Sequence, residues 1–215
     1  MIPPSFDYHA PNSVAEAIKL LGDLGPDAKL LAGGHSLLPM MKLRFAQPAH
    51  LIDLNRITAL RGIREEGSTV CIGAMTVERD LIASKVLQAR LPLLPEAARQ
   101  IGDPQVRNRG TIGGDIAHGD PGNDHPAICI ALEASFVLEG PNGKRQVKAD
   151  GFFLGTYMTG MAGTRSWSRF ACRPSRPRPA GPTRNSNARP ATGPLRRRRW
   201  CCESMPAWSA MCASR

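Results

Sequence analysis

The chain has 215 residues, six cysteines and a formal net charge of +10, which taken alone would favour a nucleic-acid-binding protein. The charge is confined to one end: residues 1–160 hold 16 Lys and Arg against 17 Asp and Glu, whereas residues 161–215 hold 12 Arg and one acidic residue. Only Cys71 and Cys129 precede the basic end, which excludes a disulfide-rich scaffold and predicts a cytoplasmic protein. No signal-peptide pattern and no apolar run of about 18 residues is present, so no transmembrane segment is predicted.

The first part of the chain predicts a helix followed by a strand–turn–helix–strand unit. Apolar residues at helical spacing follow the capping residues Asn12 and Ser13, and a Gly-Pro pair ends that helix. The expected elements are a helix over 13–24, a strand over 28–31, a helix over 36–44 and a strand over 50–54. This order is typical of a small nucleotide-binding half-domain, and we place a first subdomain at residues 1–57.

Residues 58–159 predict a second subdomain of hairpins and helices. The expected elements are hairpin strands at 60–63 and 69–72, helices starting at Thr76 and spanning 93–101, a helical segment at 126–132, and hairpin strands at 135–139 and 145–148.

Two glycine-rich segments are the most informative feature of the chain: LAGGHSLLPMMKLR at 31–44 and RGTIGGDIAHGDPGNDHPA at 109–127. In the first, Gly33 and Gly34 lack a Cβ atom, so the backbone can approach a ligand closely. The helix expected after them directs its N–H groups to the same point, and Ser36 adds a hydroxyl. A plain strand-to-helix turn is the alternative interpretation of this segment.

The second segment is expected to present free N–H groups in a similar way around Thr111, Gly113 and Gly114. Two such segments suit a ligand with two phosphates better than one with a single charge. The polar residues that follow are Asp115, His118, Asp120 and Asp124. Their irregular spacing does not predict a metal site, and Asp124 is instead a candidate acceptor for a ribose or ribityl hydroxyl.

No catalytic motif accompanies the two glycine segments. The chain lacks the glycine fingerprint of a Rossmann dinucleotide site, a P-loop, and any Ser/His/Asp or Cys/His arrangement. The histidines His9, His50 and His125 are expected at the surface or in turns. We therefore predict no catalytic residue and no metal ligand in this chain.

The basic tail has the composition of GC-rich coding DNA translated in a wrong frame. With suitable synonymous codons, residues 163–173 read from the third base give Asp-Glu-Ile-Leu-Val-Ala-Ile-Arg-Val-Pro, a strand-like sequence. The segments 185–193 and 195–202 also give ordinary sequence in that frame. We hypothesise a frameshift near residues 159–163 and predict that residues 160–215 are an aberrant, disordered tail. The alternative is a genuine basic arm that binds RNA or acidic lipid, and resequencing the gene separates the two.

With both segments considered, the chain resembles a known family. The segments FDYHAPNSVAEAIKLL, LAGGHSLLPMMKLR, HLIDL, GIREEGSTVCIGAMT and DPQVRNRGTIGGDIAHGDPGNDHPA are similar to those of the FAD-binding medium subunits of molybdenum hydroxylases. The likeness is greatest to the aerobic carbon monoxide dehydrogenase branch and extends to the xanthine dehydrogenase flavoproteins. It covers residues 1 to about 159.

The resemblance implies an α+β fold of the vanillyl-alcohol-oxidase type, with two subdomains holding FAD and the C-terminal subdomain missing. It implies an oxidoreductase subunit, active only in a complex, that passes electrons from 2Fe–2S clusters through FAD to an external acceptor. The implied FAD-binding residues are Ala32, Gly33, Gly34, His35, Ser36, Leu37, Thr111, Ile112, Gly113, Gly114, Asp115 and Asp124. Asp115 stands where many relatives carry Asn or Ser.

The implied partners are a small 2Fe–2S subunit and a large molybdopterin subunit, and those two groups belong to the partners. No nucleic acid is implied, and peripheral association with a membrane stays open. Because the family uses residues beyond about 160 to finish the flavin site, we expect weak or no FAD binding by this product. The alternatives are a truncated, non-functional flavoprotein fragment, a self-sufficient flavin oxidase, and a nucleic-acid-binding protein acting through its basic tail.

Overall fold

A computed structural model describes residues 2–161 and, as backbone only, the strand Ser166–Cys172. Residues 160–215 were predicted to be disordered, and within them the structure describes residues 160–161 and the strand Ser166–Cys172. The prediction for the rest of the tail lies outside the described residues. The described strands are β1 Asp7–His9, β2 Ala28–Leu31, β3 His50–Asp53, β4 Ile63–Glu66, β5 Thr69–Gly73, β6 Ser135–Gly140, β7 Gly143–Lys148, β8 Phe153–Gly155, β9 Met158–Thr159 and β10 Ser166–Cys172. The α-helices are α1 Val14–Leu24, α2 Leu37–Lys42, α3 Glu78–Ala83, α4 Lys85–Arg90, α5 Leu93–Gln100, α6 Pro104–Arg109, α7 Ile112–His118 and α8 Asp124–Ala131.

A three-stranded parallel sheet with the order β1-β3-β2 forms the first part of the fold. Helix α1 is capped at its start, because the Ser13 hydroxyl accepts from the N–H of Glu16 and the Glu16 carboxylate accepts from the N–H of Asn12, the residue before the N-cap. One face of α1 buries Ala17 and Leu21 in a cluster that also contains Ile52, Leu54 and Leu60. The helix predicted over 13–24 and the strands predicted over 28–31 and 50–54 are confirmed as α1, β2 and β3.

A five-stranded antiparallel sheet with the order β4-β5-β10-β6-β7 forms the second part. Its main apolar cluster joins buried residues of β5 and β6, such as Ile72 and Phe136, to buried residues of the helices, such as Leu81, Leu94 and Ile116. The central strand is β10, which bonds to β5 on one side and to β6 on the other. Seven residues of the basic tail therefore lie in the middle of the sheet.

Several boundaries differ from those predicted, each for a local reason. Helix α2 ends at Lys42 because Arg44 adopts a left-handed φ of 62°. Helix α3 begins at Glu78 rather than at Thr76, because the Thr76 hydroxyl bonds to the N–H of Gly62 instead of capping the helix. Strand β1 and helix α6 were not predicted, since three residues and six residues give too short a periodic signal.

We expect Gly22→Ala to stabilise the chain by about 1 kcal/mol, because an interior helical glycine costs that much relative to alanine. A Cβ atom at Gly22, which lies within α1, would meet nothing within 4 Å. Urea unfolding measures the change. Gly25→Ala is the matched control: its Cβ would also meet nothing, but its φ of 66° should cost about 1 kcal/mol. A loss of stability in Gly22→Ala would contradict the prediction.

Candidate flavin-binding cavity

The two glycine segments meet at one cavity of about 630 Å³. Gly33, Gly34, Gly113 and Gly114 all line it. The segments also touch directly: a Cβ atom on Gly33 would overlap the carbonyl oxygen of Arg109, and one on Gly114 would lie 3.3 Å from Cβ of Ala32. The lack of a Cβ atom at Gly33 and Gly114 therefore allows the two segments to approach each other closely.

The cavity brings together ten of the predicted site residues and leaves two outside it. The ten that line it are Ala32, Gly33, Gly34, His35, Ser36, Leu37, Thr111, Gly113, Gly114 and Asp115. Ile112 does not line the cavity, because its side chain is buried in the main apolar cluster. Asp124 does not line it either and is exposed at the start of α8. The walls come from both parts of the fold, for example Leu30 of the first and Ala117 of the second.

The first glycine segment offers free backbone donors to this cavity. Within the described part of the chain, the N–H groups of residues 33–36 have no protein acceptor. Gly34 has a left-handed φ of 80°, and its carbonyl accepts from the N–H of Leu38 at 3.0 Å. Several adjacent N–H groups directed to one side form an anion-binding concavity, as the sequence predicts for this segment.

The second segment has no run of free donors, because the prediction of free N–H groups is wrong for Gly113 and Gly114; of the three predicted positions, the N–H of Thr111 is the one without an acceptor among the described residues. The N–H of Ile112 donates to the Thr76 carbonyl at 3.1 Å, and that of Gly113 donates to the Ala74 carbonyl at 2.9 Å. The N–H of Gly114 is capped by the Thr111 hydroxyl at 3.1 Å. The reason is that α7 starts directly at Ile112 with Thr111 as its N-cap. This segment shapes the wall of the cavity and leaves the donors to the first.

A polar chain holds the first segment in place. The side-chain amide of Asn55 donates to the Ala32 carbonyl at 3.1 Å, and Asp53 accepts from the N–H of Asn55 at 2.9 Å. The Tyr8 hydroxyl donates to the same carboxylate, and this hydrogen bond raises the pKa of Tyr8. Burial by itself would raise the pKa of Asp53, but the hydrogen bonds from Tyr8 and Asn55 lower it. Asp53 is therefore an ionised anchor for this segment near neutral pH.

Two residues of the second segment, Asp115 and His125, form a buried ionisable trio with Glu78. The sequence analysis did not predict this trio. His125 is 0% exposed, not at the surface as predicted. Its Nδ1 lies 2.9 Å from Oδ2 of Asp115, and its Nε2 lies 3.4 Å from Oε2 of Glu78. The contact to Glu78 is an ion pair without hydrogen-bond geometry. His125 stands four residues before buried Cys129, so helical spacing on an apolar face could have indicated its burial.

Charge interactions in the trio favour the imidazolium form. Burial by itself would lower the pKa of His125, but Asp115 and Glu78 outweigh it and raise that pKa from 6.5 to about 9. Glu78 is 2% exposed and lines the cavity, as Asp115 does. Both carboxylates of the trio thus belong to the wall of the site.

Tyr157 lies at the edge of the same cavity on the turn between β8 and β9. Its φ is 57°, and its N–H donates to the Gly119 carbonyl at 2.9 Å. Its ring lies 4.9 Å from that of His118, and its hydroxyl donates to Asp120 at 3.3 Å. Asp120 also accepts from the N–H of Gly122, so the polar residues after the second segment fix turns. Residues 2–161 hold no group of three metal-ligating side chains in position for a metal ion.

The fold and the cavity define a nucleotide-binding protein of the α+β class, with one anion-binding segment and one shaping segment. The chain belongs to the family described as the FAD binding domain in molybdopterin dehydrogenase, whose profile matches residues 4–165. The predicted family, fold class and cofactor, FAD, are thereby confirmed. The donors of residues 33–36 and the glycine cradle fit a diphosphate, and the apolar lining fits a flavin.

Two curated relatives are carbon monoxide dehydrogenase medium chains. That of Hydrogenophaga pseudoflava is 81% identical over 159 residues, which are 74% of this chain and 55% of the relative. That of Afipia carboxidovorans is 55% identical over the same number of residues. The chain thus spans about half the length of the curated relatives it matches.

Solved structures agree with this assignment. Carbon monoxide dehydrogenase from Hydrogenophaga pseudoflava, in a form lacking the Mo-pyranopterin moiety, matches with a TM-score of 0.81 and 73% identity. The match covers 82% of this chain and 62% of that chain. Quinoline 2-oxidoreductase from Pseudomonas putida 86 matches with a TM-score of 0.79 and 33% identity over 81% of this chain and 61% of that chain. In the described residues, no helix has the length and apolarity needed to cross a bilayer.

Proposed function

We propose that this chain is the FAD-binding part of a molybdenum hydroxylase medium subunit of the carbon monoxide dehydrogenase type. The observation that carries the proposal is the meeting of both glycine segments at one largely apolar cavity, with the free N–H groups of residues 33–36 on its wall. Bound FAD would accept electrons and release them to an external acceptor. The chain's own residues bind the cofactor, orient it and exclude water from it.

Each part of the cavity has a separate task in this proposal. The first segment binds the diphosphate through its N–H groups, with His35 and Ser36 as further donors, and Asn55 fixes the carbonyl of Ala32 behind it. The second segment, from Thr111 to Asp115, closes the opposite wall. Asp124 and Ile112 stay proposed binding residues that would need to act from outside the described cavity. No residue here is proposed to act as an acid, base or nucleophile.

The wider setting is proposed from the relatives. The electrons would come from the 2Fe–2S clusters of a small subunit, which receive them from a large molybdopterin subunit, in a cytoplasmic complex. We also propose subdomain limits at residues 1–57 and 58–159, which the separate sheets support, although the first apolar cluster crosses the limit through Leu60 and Met75. Activity would require all three subunits.

Titration of the purified chain with FAD tests the proposal, with flavin fluorescence as the measurement. We expect saturable binding, weaker than that of a full-length relative, and at least about tenfold weaker binding of riboflavin. The reason is that riboflavin lacks the diphosphate, and charge-assisted hydrogen bonds contribute about 1.5 kcal/mol or more each. The proposal narrows the expectation from sequence, weak or no FAD binding, to weak binding, so equal affinities for the two flavins, or no FAD binding at all, would contradict it.

A further inference from the structure

The buried trio of Glu78, His125 and Asp115 needs an explanation, because taking three ionisable side chains out of water costs free energy. The side chain of His125 is 0% exposed, that of Glu78 is 3% exposed and that of Asp115 is 23% exposed. The trio carries one positive and two negative charges when all three are ionised. An arrangement without charges could fill the same space at a lower cost in free energy, so these charges point to a role beyond packing.

We infer that His125 is a positioning residue of the flavin cavity, acting as a buried cation that holds the carboxylates of Asp115 and Glu78 in the cavity wall. The inference rests on the proposed function, because the cavity matters only if a flavin nucleotide binds there. It assigns no contact between His125 and the cofactor. The positive charge of His125, which does not line the cavity, controls the shape and charge of the cavity wall.

The contacts of the trio connect three helices to the second glycine segment. Asp115 lies on α7 and uses both carboxylate oxygens, one toward His125 and the other toward the side-chain amide of Asn123. Glu78 begins α3, and its N–H donates to the Gly110 carbonyl at 3.1 Å, within the second glycine segment. His125 lies on α8 and joins the two. Loss of its charge would leave two carboxylates facing each other with no cation between them.

Among the described side chains, no charged group other than Asp115 and Glu78 faces His125 from the helices packed on it. Asp115 is the acidic neighbour from α7, and Glu78 is the one from α3. Helix α5 also packs on α8, but its charged residues Glu96 and Arg99 are exposed, as is Asp124 on α8 itself. The state of the trio therefore depends on the protonation of this one imidazole.

The direction of the pH effect follows from the geometry. The pKa of His125 is raised to about 9 in the folded chain, above its usual 6.5, so the proton stabilises the fold. This contribution is complete below about pH 6.5 and is lost as the pH rises through about 9. Affinity for FAD should fall over the same range, because the wall gains a net negative charge beside the diphosphate.

The test uses the full chain without cofactor and then with FAD. Urea unfolding from pH 6.5 to 9.5 should show the folding equilibrium constant falling about a hundredfold more in the parent chain than in a variant with a neutral trio, H125Q/E78Q/D115N. NMR titration should show the His125 ring holding its proton above pH 8. His50→Gln is the matched control, because the carboxylate beside His50 is that of exposed Asp7 at 3.4 Å and its other polar contact is His9 at 3.4 Å, so it should leave the difference unchanged.

With FAD, we expect about tenfold weaker binding at pH 9.5 than at pH 7 for the parent and a flat profile for the neutral trio. H125Q alone should be less stable than the neutral trio, because it leaves two uncompensated carboxylates. A His125 ring that loses its proton at or below pH 6.5 overturns the inference even if a variant fails to fold. FAD binding with the same pH profile in the parent and the neutral trio also overturns it. Absence of FAD binding at every pH would instead refute the proposed function, and the NMR titration would still report on His125.

Discussion

Replacing residues 164–173 with Asp-Glu-Ile-Leu-Val-Ala-Ile-Arg-Val-Pro should raise the free energy of unfolding of the chain by about 3 kcal/mol or more. The new sequence is the shifted reading of the stretch 163–173, and its apolar run Ile-Leu-Val-Ala-Ile falls on residues 166–170 of β10. That strand is central, and the replacement includes Phe170→Ile, in register with Ile72 of β5 and Phe136 of β6, both buried. Each additional apolar side chain buried there contributes about 1.5–3 kcal/mol.

The present sequence suits this position poorly. Ser and Arg occupy three of the seven positions of β10, at Ser166, Ser168 and Arg169, and Arg169 is in register with buried Gly73 of β5 and with Val137 of β6. A central strand is flanked by neighbours on both edges and favours β-branched and other apolar residues. The shifted reading frame gives a strand-like sequence at the residues that form β10. This agreement supports the frameshift hypothesis.

Urea unfolding of the parent and the restored chain measures the effect, and FAD affinity is expected to rise with stability. The control carries the same ten residues in an order that removes the apolar run. It has the same composition and charge, so only the match to the sheet is changed. A restored chain no more stable than this control would contradict both the placement of β10 and the frameshift hypothesis.

Gly33→Ala should weaken FAD binding at least about tenfold and cost about 2 kcal/mol of stability. The new Cβ atom would overlap the carbonyl oxygen of Arg109, and backbone on both sides cannot rotate away as a side chain could. The first segment must then move away from the second, and its N–H groups leave the position in which they meet a phosphate. Loss of one such charge-assisted hydrogen bond is enough for about a tenfold effect.

Flavin fluorescence titration and urea unfolding check this second prediction. Gly22→Ala makes the same chemical change at a site where the Cβ meets nothing, and it should leave FAD affinity unchanged. Parent-like affinity in Gly33→Ala, measured beside that control, would show that the contact of the two segments does not position the diphosphate donors.

Local signals in the sequence were sufficient for the first part of the fold. The capping residue Ser13, the apolar spacing of α1 and the glycine after β2 act within a few residues of each other, so the helix and strands could be predicted. The meeting of the two glycine segments followed from the resemblance and not from any local pattern. Its structural basis is the contact of Gly33 with Arg109, two residues far apart in the sequence.

The remaining features depend on long-range packing. The N–H groups of Ile112 and Gly113 are taken by carbonyls of Thr76 and Ala74, some 36 to 39 residues earlier, which no motif around the segment indicates. His125 is buried because α8 packs against α7 and places the ring next to Glu78. In the sequence, His125 stands between Asp124 and Pro126 in a stretch that resembles a loop. Its burial can be predicted only when the helix is taken to begin before it.

The cavity has walls from both parts of the fold, with Leu30 from the first and Ala117 from the second. A nucleotide bound there would act as a non-covalent cross-link, and its binding free energy would add to the cohesion of the two parts. Without it, each part would open more often on its own and expose cleavable backbone. The supply of riboflavin, the vitamin precursor of FAD, would then govern how long the protein survives proteolysis in the cell, as well as whether it can carry electrons.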